Sequence, residues 1–296
     1  MPLALIFSSH PIFVILSFSL SEFIRTPMRA FAGAACRATV SVTRVAPRPK
    51  LTPWRAVTGA ASTSSAPTPD DVRRATLKWV DERVIGYNLC PFAKAPRQND
   101  GLRLVVCEHQ ALDSFFETFT NEAQTLVGTY SKEDEAYDDE DDDDEAAVDD
   151  VTSKNKSNAD QKPARWQLPG LSEPSTTLIT VPYVEDLDDF MLFLAVVEQC
   201  EEILEEMDAS RQKIQLATFH PEYQFAGEEI GDPGSYTNRS PYPTVHLLRT
   251  VDVSRAVDAH PDTEGIPDAN IKKLRDAGRE TLFEFVKQLR EFRGKD

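Results

Sequence analysis

Cysteines are few in this sequence, and none form the close-spaced pairs that mark common disulfide or metal sites. The four cysteines are Cys36, Cys90, Cys107 and Cys200, and neither a CxxC nor an HExxH spacing occurs among the 296 residues. A disulfide-rich secreted domain or a zinc ribbon needs such pairs. The sequence therefore argues against a disulfide scaffold and favours a thiol-reducing compartment.

Motifs that bind nucleotides or mark hydrolases are also absent. The chain has no GxGxxG after a predicted strand, no GxxxxGK[ST] and no GxSxG. The first two cradle phosphates on backbone N–H groups, and the third places a nucleophilic serine on a sharp turn. No cofactor can be assigned from these motifs, and the cofactor stays unknown.

Basic residues are scarce and unevenly distributed. The chain has 32 Lys and Arg against 49 Asp and Glu, which gives a formal charge of −17. Residues 1–69 carry seven basic residues and one acid, whereas residues 133–150 carry 13 acids and no base. Nucleic-acid binding depends on clustered Lys and Arg. We therefore expect no nucleic-acid partner, although a local basic pocket could still take a small-molecule anion.

The first 69 residues are typical of a targeting leader. Residues 2–21 are apolar and uncharged, as in a signal core or a weak membrane span, but serines dilute the run and no basic residue precedes it. Residues 23–69 contain no acid and are rich in Arg, Ala, Ser and Thr, as in a transit peptide. We predict a disordered leader that directs the protein to the mitochondrial matrix or the plastid stroma. The alternative is a membrane or secretory destination if residues 2–21 act as a signal, and the start site is Met1 or Met28.

Strand and helix patterns alternate after the leader and predict one soluble α/β domain over residues 70–292, with no membrane contact expected. Short β-branched runs at residues 102–107, 176–181 and 214–219 predict strands. Helical spacing of apolar residues predicts the helices, at residues 70–87, 112–127, 187–207, 243–250, 253–259 and 266–292. The pattern favours a small, mainly parallel three-stranded sheet packed with helices in a two- or three-layer sandwich.

An acidic segment interrupts this domain at residues 130–172. It is dominated by Asp, Glu, Ser, Lys, Asn and Pro, and offers little apolar surface to bury. Like charges also repel one another along it. We interpret it as a disordered surface insert within the single domain.

Cys90 is the first candidate for chemistry. It lies in Asn88-Leu89-Cys90-Pro91-Phe92, where Pro91 suits the first turn of a short helix and would make Cys90 the N-cap. A thiol at that position has a lowered pKa and can act as a nucleophile or a ligand. The alternative is a small buried residue in a tight turn.

A second group of candidates follows the third predicted strand. His220 lies at the carboxyl edge of the sheet, where open α/β sheets bind ligands, and a long loop rich in Tyr and Pro comes next. Ser240-Pro241 resembles an N-cap and first helical residue, so Ser240, Arg239 and Asn238 form a candidate cradle for a phosphate or carboxylate. His246 would then lie in the same helix and face the same site. Each of these residues could instead be structural.

The chemistry-bearing segments also carry a family resemblance. The segments WVDERVIGYNLCPFAKAP, TTLITVPYVEDLDDFMLFL, IQLATFHPEYQFAG, YTNRSPYPTVHLLR and DANIKKLRDAG resemble the bacterial and organellar family catalogued as domain of unknown function 1415. The resemblance spans residues 74–278 apart from the acidic insert. It implies no activity, cofactor or catalytic residue, and its bacterial relatives look like soluble cytoplasmic proteins, in agreement with a matrix or stroma destination.

Three functions remain open from the sequence. The first is an enzyme acting on a small anionic metabolite, with Cys90, His220 and His246 as catalytic residues and Arg239, Ser240 and Asn238 as the anion site. The second is a non-catalytic binding or assembly factor that uses the Tyr/Pro-rich loops as an exposed surface. The third is a metal site built from Cys90, His220 and His246, with Glu222 as a further ligand, although no metal motif supports it. The sequence does not predict an oligomeric state.

Overall fold

One sheet of four strands lies at the centre of the described residues. The computed structural model describes residues 66–134, 136–137, 173–207 and 213–294. The strands follow the order β1-β2-β4-β3, and they are β1 Leu102–Val106, β2 Thr176–Thr180, β3 Ile214–Phe219 and β4 Thr244–Arg249. β1 pairs with β2 in parallel, whereas β4 is antiparallel to both β2 and β3. The sheet is therefore mixed.

Helices cover both faces of this sheet. They are α1 Pro69–Trp79, α2 Lys94–Gln98, α3 Leu112–Val127, α4 Phe190–Met207, α5 Thr250–Ala259, α6 Ile266–Ala277 and α7 Arg279–Glu291. A π-helical segment, Val80–Ile85, continues α1, and short 3₁₀ segments occupy Glu185–Asp188 and Pro233–Thr237. Among the described residues, no helix is both long and apolar enough to cross a membrane.

Two hydrophobic cores form on opposite faces because side chains alternate along each strand. On one face, α3 and α4 bury Phe115, Phe119 and Phe193 against Val245 and Leu247 of β4. On the other face, α1, α5 and α7 bury a second set of side chains against the sheet. This set includes Val72, Trp79, Leu104, Phe219, Leu248, Val253 and Leu289. The architecture is three layers of helix, sheet and helix.

The predicted three-stranded, mainly parallel sheet is wrong in strand number and in pairing. β1, β2 and β3 do run in one direction, but the segment at residues 243–250, which we expected to be a helix, contains β4, between β2 and β3. Both faces of β4 are covered, so its sequence TVHLLR lacks the strict polar–apolar alternation of a half-buried strand. Pairing with two neighbours overrides the local preference of its Leu-Leu-Arg end.

The predicted C-terminal helix at residues 266–292 is in fact two helices. Gly278 separates α6 from α7 with a φ of +79°. Glycine adopts this backbone conformation without the steric cost that a Cβ atom imposes. The chain can therefore turn between the two helices at this residue.

The start of the predicted acidic insert contacts the domain. The Tyr130 hydroxyl donates to the Lys213 carbonyl oxygen, and the Asp134 carboxylate accepts bonds from the guanidiniums of Arg249, at 2.8 Å, and Arg255, at 2.6 Å. Residues 130–134 are therefore not a disordered segment, which corrects the boundary that we expected at residue 130. Most of the remaining insert and the predicted leader up to residue 65 lie outside the described residues.

Candidate functional site

His220 follows β3 and is completely buried. Its Nδ1 accepts the backbone N–H of Glu222 at 3.0 Å, so Nε2 carries the proton and donates to the Leu187 carbonyl oxygen at 2.9 Å. The imidazole lies against the rings of Phe190 and Phe193. Burial lowers the pKa of His220 to about 4, so the ring is neutral at pH 7. Both of its nitrogens are engaged, which leaves none for proton transfer to a substrate.

His246 lies on β4 rather than in a helix. Its side chain lies on the face of the sheet that α1, α5 and α7 cover. The Thr176 hydroxyl donates to the Leu247 carbonyl oxygen at 2.8 Å, so it accepts the Nε2 proton of His246, at 2.6 Å. Burial lowers the pKa of His246 to about 4. The Phe219 ring lies 6.2 Å from the imidazole, between centroids.

The two histidines therefore lie on opposite faces of the sheet. His220 contacts Phe193 and Leu187, which belong to the core that α3 and α4 cover. His246 neighbours Phe219, which belongs to the core on the other face. The sheet itself lies between the two imidazoles, so one small substrate could not contact both at once.

Cys90 lies in a third environment. It precedes a turn rather than a helix, since α2 begins only at Lys94, so the predicted N-cap is wrong. Burial raises the pKa of the Cys90 thiol above its ordinary value of 9.0, and the N–H groups of Phe92 and Ala93 offset only part of that rise. No helix N-terminus therefore activates this half-buried thiol. No hydrogen bond among the described residues joins Cys90 to either histidine.

Two members of the predicted anion cradle use their side chains inside the protein. The Asn238 amide donates to the Thr218 carbonyl oxygen at 3.0 Å, and the Ser240 hydroxyl donates to the Tyr242 carbonyl oxygen at 2.6 Å. Ser240 precedes β4 and not a helix, so the predicted helix N-terminus does not exist there. Asn238 and Ser240 hold the loop against the sheet rather than facing a ligand.

Arg239 differs from these two neighbours because its two Nη groups form no hydrogen bond with the described residues. Its Nε donates to the Tyr223 carbonyl oxygen at 3.0 Å, and its guanidinium carbon lies 4.5 Å from the centre of the Tyr236 ring. The side chain is half-buried. No carboxylate of the described residues forms an ion pair with it. The loop therefore presents an oriented cation whose two Nη groups remain available.

The aromatic loop residues are buried rather than displayed. Tyr223, Tyr236 and Tyr242 belong to the interior, and Phe225 is half-buried. Tyr236 packs against Leu274 and Leu282 of α6 and α7. The exposed aromatic patch that we expected for an assembly factor is therefore absent from the described loops.

The predicted metal ligands are not brought together either. Within the described part of the chain, no three His, Cys, Asp or Glu side chains are grouped so that they could hold a metal ion. The side chains of Cys90, His220 and His246 occupy the three separate environments given above. The metal hypothesis therefore receives no support from the described residues.

Arg83 is a further cation that we did not predict. It lies in the π-helical segment after α1 and is only 5% exposed. Its guanidinium carbon lies 4.3 Å from the ring centres of both Tyr87 and Phe285. Its Nη1 is buried and has no hydrogen-bond partner among the residues that the structure describes. Only its position within WVDERVIGYNLC, a segment that carries the family resemblance, could have drawn attention to it.

Comparison with known proteins gives a family but no activity. No curated protein matches the chain, and no solved structure matches it. One family model matches residues 71–137 and 145–284, and its description is "Protein of unknown function (DUF1415)". This match covers most of the chain and includes Arg83, Cys90, His220, Arg239 and His246. The chain therefore belongs to the DUF1415 family of proteins of unknown function.

Proposed function

We propose that this protein binds a small anionic metabolite at Arg239. The observation that carries the proposal is the state of the Arg239 guanidinium, which is oriented by the Tyr223 carbonyl and the Tyr236 ring but lacks a carboxylate partner among the described residues. An arginine fork binds carboxylates and phosphates through two parallel N–H donors. Arg239 retains both of its Nη groups for such a ligand.

The charge of the protein strengthens this argument. Asp and Glu outnumber Lys and Arg by 49 to 32, so carboxylates for an ion pair are abundant. Other arginines use them, as in the pairs of Arg97 with Asp81 and of Arg275 with Asp232. Arg239 is held away from such a pair by its contacts with Tyr223 and Tyr236. The lack of a carboxylate partner at Arg239 among the described residues is therefore not due to a shortage of carboxylates in the chain.

The proposal concerns binding and includes no catalytic step. An enzyme needs its acid, base or nucleophile within hydrogen-bond reach of the bound substrate. His220 uses both ring nitrogens inside the protein, and His246 lies on the opposite face of the sheet. Burial raises the pKa of Cys90 instead of activating it. These side chains support no shared reaction at Arg239.

Calorimetric titration of the full chain tests this proposal directly. The ligands are succinate, citrate and inorganic phosphate, each at constant ionic strength so that general screening does not change. The Arg239→Gln variant should bind the preferred anion at least about tenfold more weakly, because the charged fork is lost.

Arg97→Gln is the matched control. It removes the same charge from a partly exposed arginine whose partner, Asp81, is also at the surface. Wild-type affinity is expected in this variant. Equal affinities of Arg239→Gln and Arg97→Gln for every anion would overturn the proposed site.

We also propose that the protein works in the mitochondrial matrix or the plastid stroma. Support comes from the acid-free, Arg-, Ala- and Ser-rich composition of residues 23–69. A fusion of residues 1–69 to a fluorescent protein should enter one of these organelles, and a fusion of residues 28–69 tests whether Met28 suffices as a start. Secretion of the longer fusion, or its retention in a membrane, would favour the signal alternative.

A further inference from the structure

Arg83 has an environment that an unliganded interior does not explain. The centres of two aromatic rings, those of Tyr87 and Phe285, each lie 4.3 Å from the carbon of its guanidinium. Stacking on rings compensates a cation partly but provides no acceptor for its N–H groups. Nη1 is buried, and no described residue forms a hydrogen bond with it. Buried donors are normally paired, so the unpaired Nη1 is an exception that requires an explanation.

The other buried arginines show what the chain does when it provides that acceptor. Arg249 is completely buried and donates to both Asp252 and Asp134, each at 2.8 Å. Arg255 is similarly buried and donates to Asp134 at 2.6 Å. Arg83 is equally enclosed, yet no carboxylate among the described residues pairs with it. A buried charge without a counter-ion is costly, so an anion bound at Arg83 would stabilise the folded protein.

We propose that Arg83 is a second anion-binding residue, which takes a carboxylate or phosphate group on the edge of its guanidinium. The rings of Tyr87 and Phe285 contact the guanidinium but provide no acceptor for its in-plane N–H groups. Those groups match the spacing of two oxygens of one carboxylate or phosphate. A neutral or cationic ligand would not replace the missing counter-charge.

Arg83 and Arg239 border the same hydrophobic cluster. Tyr236, under the Arg239 guanidinium, is a buried member of it, while Tyr87 and Phe285, which contact the Arg83 guanidinium, pack against it. The inference does not rest on the Arg239 site, since each arginine has its own aromatic contacts and its own lack of a carboxylate. The two sites can therefore be tested separately by single substitutions.

The dependence of the free energy of unfolding on phosphate concentration gives the number of phosphate-binding sites. The full chain is unfolded with urea at rising concentrations of inorganic phosphate, while sodium chloride holds the ionic strength constant. Each independent site that binds only the folded protein adds the same limiting slope to a plot of stability against the logarithm of phosphate concentration. The wild type should show the slope of two sites, Arg83→Gln and Arg239→Gln that of one, and the double variant none.

The outcomes distinguish this inference from the proposed function. A slope reduced in Arg239→Gln but unchanged in Arg83→Gln would overturn the Arg83 site and leave the Arg239 site intact. A slope reduced only in Arg83→Gln would overturn the Arg239 site and leave the Arg83 site intact.

Arg83→Lys keeps the test valid if the glutamine variant does not fold. A lysine retains a cation between the rings but loses the planar fork. We expect Arg83→Lys to fold and to bind phosphate at that site at least about tenfold more weakly. Wild-type affinity and slope in Arg83→Lys would show that the arginine is only a packing element.

Discussion

His220 donates its Nε2 proton to the carbonyl oxygen of Leu187, with 2.9 Å between nitrogen and oxygen. The same ring accepts the N–H of Glu222 on Nδ1, which fixes a single neutral tautomer. This arrangement holds the loop after β3 against the 3₁₀ segment before α4. A residue that we expected to transfer protons has instead the contacts of a structural tie, and its protonation should loosen the fold.

Stability should fall as the pH is lowered from about 6.5 to about 4. The pKa of His220 is about 4 in the folded protein against an ordinary 6.5, so the unfolded chain binds the proton more readily in this interval. The stabilisation is complete above pH 6.5 and is lost progressively towards pH 4. The loss from this group should be about 3 kcal/mol. Urea unfolding at a series of fixed pH values measures it.

His220→Phe serves as the control for this pH dependence. The phenyl ring suits the contacts with Phe190 and Phe193 but leaves the Leu187 carbonyl without its donor. We expect lower stability at pH 7, by about 1–3 kcal/mol, and a flatter curve between pH 4 and 6.5. An unchanged pH dependence in the variant would show that His220 does not cause the acid sensitivity.

Asp134→Asn should destabilise the protein strongly although Asp134 lies in a highly acidic segment. Burial alone would raise the pKa of Asp134, but the Ser131 N–H and the guanidiniums of Arg255 and Arg249 hold it below its ordinary value. Neutralising it leaves two buried cations short of a partner. The expected loss in the free energy of unfolding is about 3–5 kcal/mol, measured by urea unfolding at pH 7.

Glu198→Gln gives the comparison for Asp134→Asn. Glu198 is exposed on α4, so the same loss of one negative charge should change stability by less than about 0.5 kcal/mol. Similar small effects of both substitutions would contradict a role for Asp134 in anchoring the start of the insert.

Thr176→Val should cost stability, whereas the same change at the next residue should not. The Thr176 hydroxyl accepts from His246 and donates to the Leu247 carbonyl oxygen, so its removal leaves the His246 Nε2–H without its partner. We expect a loss of about 1–3 kcal/mol in thermal or urea unfolding. The Thr177 hydroxyl is buried on the other face of β2 and has no hydrogen-bond partner in the described part of the chain, so Thr177→Val should be neutral or stabilising. A larger loss at Thr177 would reject this assignment.

Cys90 should react slowly with thiol reagents at pH 7. Burial raises the pKa of its thiol above 9.0, so little thiolate is present at neutral pH. Alkylation followed by peptide mass mapping should show rates that increase only in alkaline solution. Cys107 provides an internal reference and should react still more slowly, because it is buried whereas Cys90 is half-buried. Fast labelling of Cys90 below pH 7, with protection by phosphate, would instead support an activated thiol at this position.

Local sequence patterns determined most of the helices and three of the four strands. The apolar spacing of Phe115, Phe119 and Leu126 on α3 marks a helix face that only a core can bury. The β-branched runs of β2 and β3 indicate strands in the same way. These elements are predictable because each carries its signal within a few consecutive residues. The motifs that resemble the family are equally local, and the family match confirms that prediction.

The tertiary structure alone decided β4 and the fate of the candidate site residues. β4 becomes a strand because β2 and β3 supply partners on both of its edges, and no local pattern specifies that. Sequence also places His220 and His246 in neighbouring motifs, but the alternation of side chains across the sheet directs them to opposite faces. Arg83 and Arg239 can be recognised as candidate anion sites only in the folded structure, which shows which arginines pair with a carboxylate. The sequence by itself determines residue types and local patterns. The hydrogen-bond partners of a side chain and the face of the sheet on which it lies depend on contacts between residues that are far apart in the sequence.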